Sequence, residues 1–135
     1  MIIGLGEDLV EIARIADLME SKGDRFLTKC FTKSEIELSQ AHPDPTRRIA
    51  YFAKRFAAKE ACLKALGTGM REGLKWHDMQ VGNDRLGRPT LDVNGGVLNR
   101  LETLIDANHK YVIHITLSDE AGLAKATVIL ESLPL

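Results

Sequence analysis

The chain has 135 residues and a mass of 14.9 kDa. Apolar residues make up 44% of it and charged residues 27%, which is enough for one core and too little for two independent catalytic domains. A formal net charge of −1 carries no global signature of nucleic-acid binding, and no apolar run approaches the roughly 20 residues of a membrane helix. The N-terminal MIIGLGEDLVEI has no basic segment and meets two acids within eight residues, unlike a signal peptide. Cys30 and Cys62 lie in no CxxC pair. They read as free thiols of a cytoplasmic protein.

Residues 2–10 hold Ile2, Ile3, Leu5, Leu9 and Val10, broken by Gly4 and Gly6, and predict an opening strand. The period then changes. Ile12, Ile15, Ala16 and Met19 fall at i, i+3, i+4 and i+7, so residues 11–22 predict an amphipathic helix that stops near Gly23. Thr32 with Glu35 three residues later forms a capping-box signature for a short helix over 33–41, ending before His42-Pro43. Thr46 is placed to cap the longest element, a helix over 46–65 closed by Gly67. Extended runs at 77–83 and 89–93 flank a hairpin loop, and Gly95-Gly96 precedes a helix with Val97, Leu98, Leu101, Leu104 and Ile105 on one face. At 111–117, Tyr111, Ile113, Ile115 and Leu117 share one strand face, and His114 and Thr116 the other. In the last strand Ala124, Ala126, Val128 and Leu130 alternate with polar residues and Ile129. Strands at both ends with helices between them predict a single α+β domain over 1–135, built on an antiparallel sheet and a long central helix.

Charge concentrates on that helix. From Thr46 to Lys64 there are six basic residues (Arg47, Arg48, Lys54, Arg55, Lys59, Lys64) against one acid, Glu60. Such a run is either a solvated face or a site for a phosphate-rich ligand or an acidic partner. Glu60 and Lys64 stand at i and i+4, on one face. They are either a surface ion pair worth about 0.3–0.5 kcal/mol or a metal-holding carboxylate beside a phosphate-neutralising lysine. Asp8, after Gly6 at a broken strand end, is either the second carboxylate or the cap of the first helix. Glu7 reads as solvent-facing, and His114 as a structural histidine or a phosphate donor. No P-loop, dinucleotide fingerprint, HExxH or paired-cysteine zinc pattern is present.

Two segments together resemble a known family. Gly6-Glu7-Asp8-Leu9-Val10-Glu11-Ile12-Ala13-Arg14-Ile15 resembles the first motif of the 4′-phosphopantetheinyl transferases, and Phe56-Ala57-Ala58-Lys59-Glu60-Ala61-Cys62-Leu63-Lys64-Ala65 their second. The separation of the motifs, the following Leu66-Gly67-Thr68-Gly69 and the short length are similar to the small subgroup. The resemblance implies that Asp8 and Glu60 bind magnesium. Larger relatives carry a further acid where this chain has Val10, so water would complete the metal shell. It implies that Lys64 contacts the coenzyme A phosphates, that Arg55 and His114 hold the 3′-phosphate, and that Lys59 and Gly67 belong to the coenzyme contacts. Arg14 would meet acidic residues of an acyl carrier protein.

The reaction it implies moves the phosphopantetheine arm of coenzyme A onto a carrier-protein serine, as in fatty acid biosynthesis, releasing adenosine 3′,5′-bisphosphate. Attack at the β-phosphorus builds charge on a pyrophosphate, so the chemistry needs a cation clamp. The base is Glu60 or a water held by the metal. The resemblance also implies a homotrimer with sites between subunits, where His114 serves a neighbour's Asp8 and Glu60. Two other classes compete. A non-catalytic adaptor would use the basic helix over 46–64 for an acidic partner, but a pure docking surface needs no acids at Asp8 and Glu60. A nucleic-acid binder would interleave exposed aromatics, whereas Phe52 and Phe56 at i and i+4 read as core.

Overall fold

The computed structural model describes all 135 residues. Strand β1 (Ile2–Glu11) turns directly into helix α1 (Ile12–Lys22), which buries Ile15 and stops at Gly23, whose φ of 55° suits glycine. A further short helix, α2 (Asp24–Cys30), buries Phe26, Leu27 and Cys30. Its seven residues are too few to declare a helical period, so the sequence carries no clear signal for it. Helix α3 (Lys33–Leu38) opens with the expected reciprocal cap: Glu35 N–H donates to Thr32 Oγ1 at 3.2 Å, and Thr32 N–H to Glu35 Oε1 at 2.8 Å. It is shorter than expected, because Ser39–Ala41 tighten into a 3₁₀ turn.

Helix α4 (Pro45–Ala65) is capped by Asp44, not by Thr46. Asp44 Oδ1 accepts from Thr46 N–H at 3.0 Å, and Pro45 takes the first helical position, where a missing N–H costs nothing. Strands β2 (Met79–Asn83) and β3 (Pro89–Val93) form an antiparallel hairpin, followed by α5 (Gly95–Thr103). Strands β4 (His109–Glu120) and β5 (Leu123–Pro134) close the chain. They form with β1 an antiparallel sheet of order β1-β5-β4. The expected α+β class therefore holds. No helix is long and apolar enough to cross a membrane.

The register explains the layering. Ala124, Ala126, Val128 and Leu130 of β5 are all fully buried beneath α4. From the other side, α4 contributes Phe52, Ala53, Ala57, Ala58, Ala61 and Leu63 to the same core. Phe31 packs on Phe52 with ring centroids 4.8 Å apart, and Phe26 meets Phe31 edge-on at 5.8 Å. Cys30 and Cys62 are free and buried, and burial pushes the Cys62 thiol up to about 12.

Two glycines set how closely β1 approaches α4. A methyl at Gly6 would overlap the carbonyl oxygen of Ala61, and one at Gly4 that of Ala65. Strand backbone and helix backbone touch there, which only glycine permits.

One buried ion pair ties the remaining elements together. Lys59 and Glu35 are both fully buried. Lys59 Nζ donates to Glu35 Oε1 at 2.6 Å, to Cys30 O at 2.8 Å and to Trp76 O at 3.3 Å. The other carboxylate oxygen accepts Val81 N–H at 2.8 Å. The expected contact of Lys59 with a coenzyme is thereby corrected: the side chain points inward and its three donors are occupied. Burial lowers the Lys59 pKa, and Glu35 opposes that shift. Lys59→Met is expected to cost about 3–5 kcal/mol by stranding the Glu35 charge, whereas Lys59→Met with Glu35→Gln costs much less. Urea midpoints of the two variants check this, and equal losses would show that the pair is not coupled.

Candidate functional site

The close contact of β1 with α4 carries the polar cluster. Inner-face positions of β1 run Gly6, Asp8 and Val10, and Asp8 pairs across the sheet with Ala126 of the buried face. Asp8 does not cap α1. The residue before that helix is Glu11, which makes no side-chain cap, and Ile12 N–H donates to Gly122 O at 2.9 Å. The Asp8 carboxylate is free to face the last turns of α4 and is 15% exposed.

There Lys64 Nζ lies 3.0 Å from Asp8 Oδ1 and 3.0 Å from Glu7 O. The Lys64 side chain is 53% exposed, and ion pairs of that kind contribute about 0.2–1 kcal/mol, so it exchanges partners readily. Glu60, one turn earlier, is half-buried. Burial, and then the Asp8 charge, push its carboxyl above the usual range, while Lys64 and Arg14 pull it back. Two carboxylates, one lysine and one arginine thus act on each other around a single spot. Glu7, by contrast, sits on the outer face with Lys125 Nζ at 3.4 Å and Thr127 Oγ1 at 3.3 Å.

Nowhere do three or more His, Cys, Asp or Glu side chains gather to hold a metal. A pair of carboxylates that leaves most of a metal's coordination positions to water and phosphate oxygens suits magnesium, which keeps several waters, and does not suit zinc. The donor set therefore fits the magnesium implied by the sequence.

Arg14, on exposed α1, places its guanidinium 6.0 Å from the Phe56 ring centroid. Phe56 stacks on Trp76 at 5.3 Å. Beside this cluster Leu18, Phe26 and Trp76 line a groove rimmed by Lys22, Arg25 and Lys29. Sequence reasoning missed this rim because its cations are spread over two helices and show no run.

Arg55 is 5% exposed and lies under a second concavity. Its guanidinium stacks 3.6 Å above the Tyr51 ring and donates to Asn83 Oδ1 at 3.0 Å, while Nε is buried without a partner. Burial lowers its pKa. The cavity it borders, about 580 Å³, is also lined by His42, Arg47, Lys54 and Asn83, and Lys54 pairs with Asp119 at 2.9 Å. Gly67, with φ of 76°, closes α4 just past Lys64 by donating to Lys64 O at 3.0 Å. Arg100 covers the adjoining helix end, donating to Leu66 O at 3.0 and 3.2 Å, a role without a sequence signal.

His114 stands apart. It pairs with Ile129 in the row that continues to Leu5, the face turned away from α4, and its Nε2 lies 2.9 Å from Glu131 Oε1. Asp8, Glu60, Lys64 and Arg14 come together in one chain; His114 does not join them.

The chain is similar to known proteins over nearly its whole length. The 4′-phosphopantetheinyl transferase superfamily matches residues 4–116. The holo-[acyl-carrier-protein] synthase of Sinorhizobium fredii is 48% identical over 134 residues, 99% of this chain and 94% of its own length. That of Mesorhizobium japonicum is 49% identical over 135 residues, covering 99% and 96%. The crystal structure of holo-[acyl-carrier-protein] synthase from Neisseria meningitidis superposes with a TM-score of 0.81 at 32% identity, over 97% of this chain and 99% of that one. The Bacillus anthracis enzyme, solved in complex with CoA (3′,5′-ADP), gives 0.76 at 31% identity over 96% of each chain. With this coverage at both sequence and structural level, the chain belongs to the 4′-phosphopantetheinyl transferase superfamily.

Proposed function

We propose that this chain transfers the 4′-phosphopantetheine group of coenzyme A to a serine of apo acyl carrier protein, releasing adenosine 3′,5′-bisphosphate. The observation that carries this reading is the meeting of Asp8, Glu60 and Lys64 where β1 touches α4. The adaptor alternative is weakened by the same helix. Lys59 points inward, Arg55 lies recessed at the floor of a cavity, and Lys54 and Lys64 are already paired with acids, so α4 offers no continuous exposed basic face.

In this reaction the serine oxygen attacks the phosphorus attached to the pantetheine arm. The bond from that phosphorus to the bridging oxygen breaks, the bisphosphate leaves with the negative charge, and the serine's proton passes to Glu60 or to a water. Asp8 and Glu60 are the residues that would hold a magnesium ion, which supplies positive charge against the diphosphate when bound. Lys64, exposed and one turn from Glu60, neutralises phosphate oxygens. Arg55 and its neighbours Arg47 and Lys54 suit the 3′-phosphate, and the unpartnered Arg55 Nε supports that assignment. Gly67 closes the helix end beside Lys64 and lets the backbone approach the same phosphates. The cation-rimmed groove next to Arg14 supports docking of an acidic carrier protein.

The outer face of the three-stranded sheet leaves Ile2, Leu5, Leu9 and Leu123 exposed among Glu7, Lys125, Thr127 and Glu131, and only Leu5 shares a row with His114. That face supports a homotrimer in which His114 reaches a neighbour's site. The buried free thiols suit a cytoplasmic setting.

Incubation of apo carrier protein with this chain, coenzyme A and magnesium is expected to add the mass of the phosphopantetheine arm, and EDTA to abolish the gain. Asp8→Ala and Glu60→Ala should each lower turnover more than about 100-fold, the scale of losing several kcal/mol of charge stabilisation. Full activity in either variant would remove the metal assignment. Arg14→Ala should raise the carrier-protein KM about tenfold, one charge-assisted contact, with little change for coenzyme A. Equal losses for both substrates would contradict docking.

Glu60 also sets a stability trade. A carboxyl raised by folding stabilises below its unfolded pKa, and that contribution is lost as pH rises through the folded value. In EDTA, Glu60→Gln is therefore expected to raise the urea midpoint at neutral pH, with the gain vanishing towards acid pH. A variant no more stable than the parent at neutral pH would refute this.

A further inference from the structure

We propose that Lys64 is an internal counter-cation of the metal site, held on Asp8 until a divalent ion claims that carboxylate and only then released to the phosphates of the coenzyme. The inference rests on reading Asp8 and Glu60 as the metal-holding pair. Lys64 Nζ sits 3.0 Å from Asp8 Oδ1, with a second anchor at Glu7 O, so its resting position is on the metal carboxylate and not out in solvent. Asp8 is 15% exposed, so there is little room for two cations around it. A divalent ion on either oxygen meets the ammonium across a single carboxylate, and the two repel.

The lysine can leave. Its side chain is 53% exposed, it stands on the last turn of α4, and its two acceptors are one carboxylate oxygen and one strand carbonyl. Released, Nζ stays on the Glu60 face of the helix, one turn away, within reach of phosphate oxygens brought to the Asp8 and Glu60 pair. The lysine thus lowers affinity for the metal alone and couples metal binding to phosphate binding, because the competent state is populated only when Asp8 is free of it.

The test is Mn²⁺ binding to the full chain without coenzyme, followed by calorimetry or by the electron paramagnetic resonance of free Mn²⁺. Lys64→Met is expected to bind Mn²⁺ about two- to fivefold tighter than the parent, with Lys64→Gln behaving alike. Lys54→Met, which removes a cation from the same helix that is paired with Asp119 instead, is expected to match the parent. Unchanged or weaker binding in both Lys64 variants overturns the inference. Equal tightening in Lys54→Met also overturns it, since the effect would then be the general field of the helix. Asp8→Asn separates the two levels: parent-like affinity there would remove the metal-site reading itself, whereas lost affinity with no Lys64 effect would remove only the counter-cation role.

Discussion

Everything chemical in this chain depends on a backbone-to-backbone contact. Strand β1 lies so close to α4 that Gly6 meets the Ala61 carbonyl and Gly4 that of Ala65, with no room for a Cβ at either position. Strand residues alternate faces, so Asp8, two places after Gly6, inherits the same inward direction, while the helix end itself lies beside Gly4. The helix answers with Glu60 and Lys64, which flank the contact residue Ala61. A larger residue at either glycine would push the strand away and open the gap between Asp8 and the two α4 side chains. The glycines that break the opening strand in sequence are thus the ones that bring the carboxylates together.

The Lys-Glu pair of the second motif illustrates how a helix divides labour between neighbours. Consecutive residues differ by about 100° around the axis. Lys59 therefore points into the protein, to Glu35, while Glu60 faces the polar cluster. Glu35 in turn joins three segments: it caps α3, holds α4 through Lys59 and pins β2 through Val81 N–H. Two residues further along β2, Asn83 accepts from Arg55. The buried pair is therefore linked by short rigid steps to the cation that borders the larger cavity, so the fold's inner electrostatics and the site's geometry share one scaffold.

Much of this was legible in the residues, and the limits have physical causes. The alternation of Ala124, Ala126, Val128 and Leu130 identified a half-buried strand, and all four are fully buried. The Thr32–Glu35 cap, the long helix and the adjacent closing strands were equally readable, because period and capping are local. The end of α4 was misassigned by one cap: Asp44 and Thr46 are both good N-cap types, and the Pro45 between them decides for Asp44. Lys59 was beyond local reading. Its partner Glu35 is 24 residues away, and a buried lysine is rare enough that composition points to solvent. Arg100 and Asn83 were invisible for the same reason, since each acts through a long-range neighbour, and the rim of Lys22, Arg25 and Lys29 because its cations are divided between two helices.

The sheet separates the side chains of neighbouring residues onto two surfaces. Its two faces carry different chemistry. Toward α4 stand Gly6, Asp8 and Val10, backed by the alanines of β5; away from it stand Leu5, Leu9, Ile129 and His114. A side chain on the outer face cannot reach the inner cluster, because the continuous hydrogen-bonded backbone of the sheet lies between them. His114 is therefore kept from its own chain's Asp8 by the sheet, and the side chain beside it is Glu131. The same strand alternation that aims Asp8 at its own helix aims Leu5 and Leu9 outward, onto the face that also carries Glu7, so alternate residues of β1 serve the site and the opposite surface.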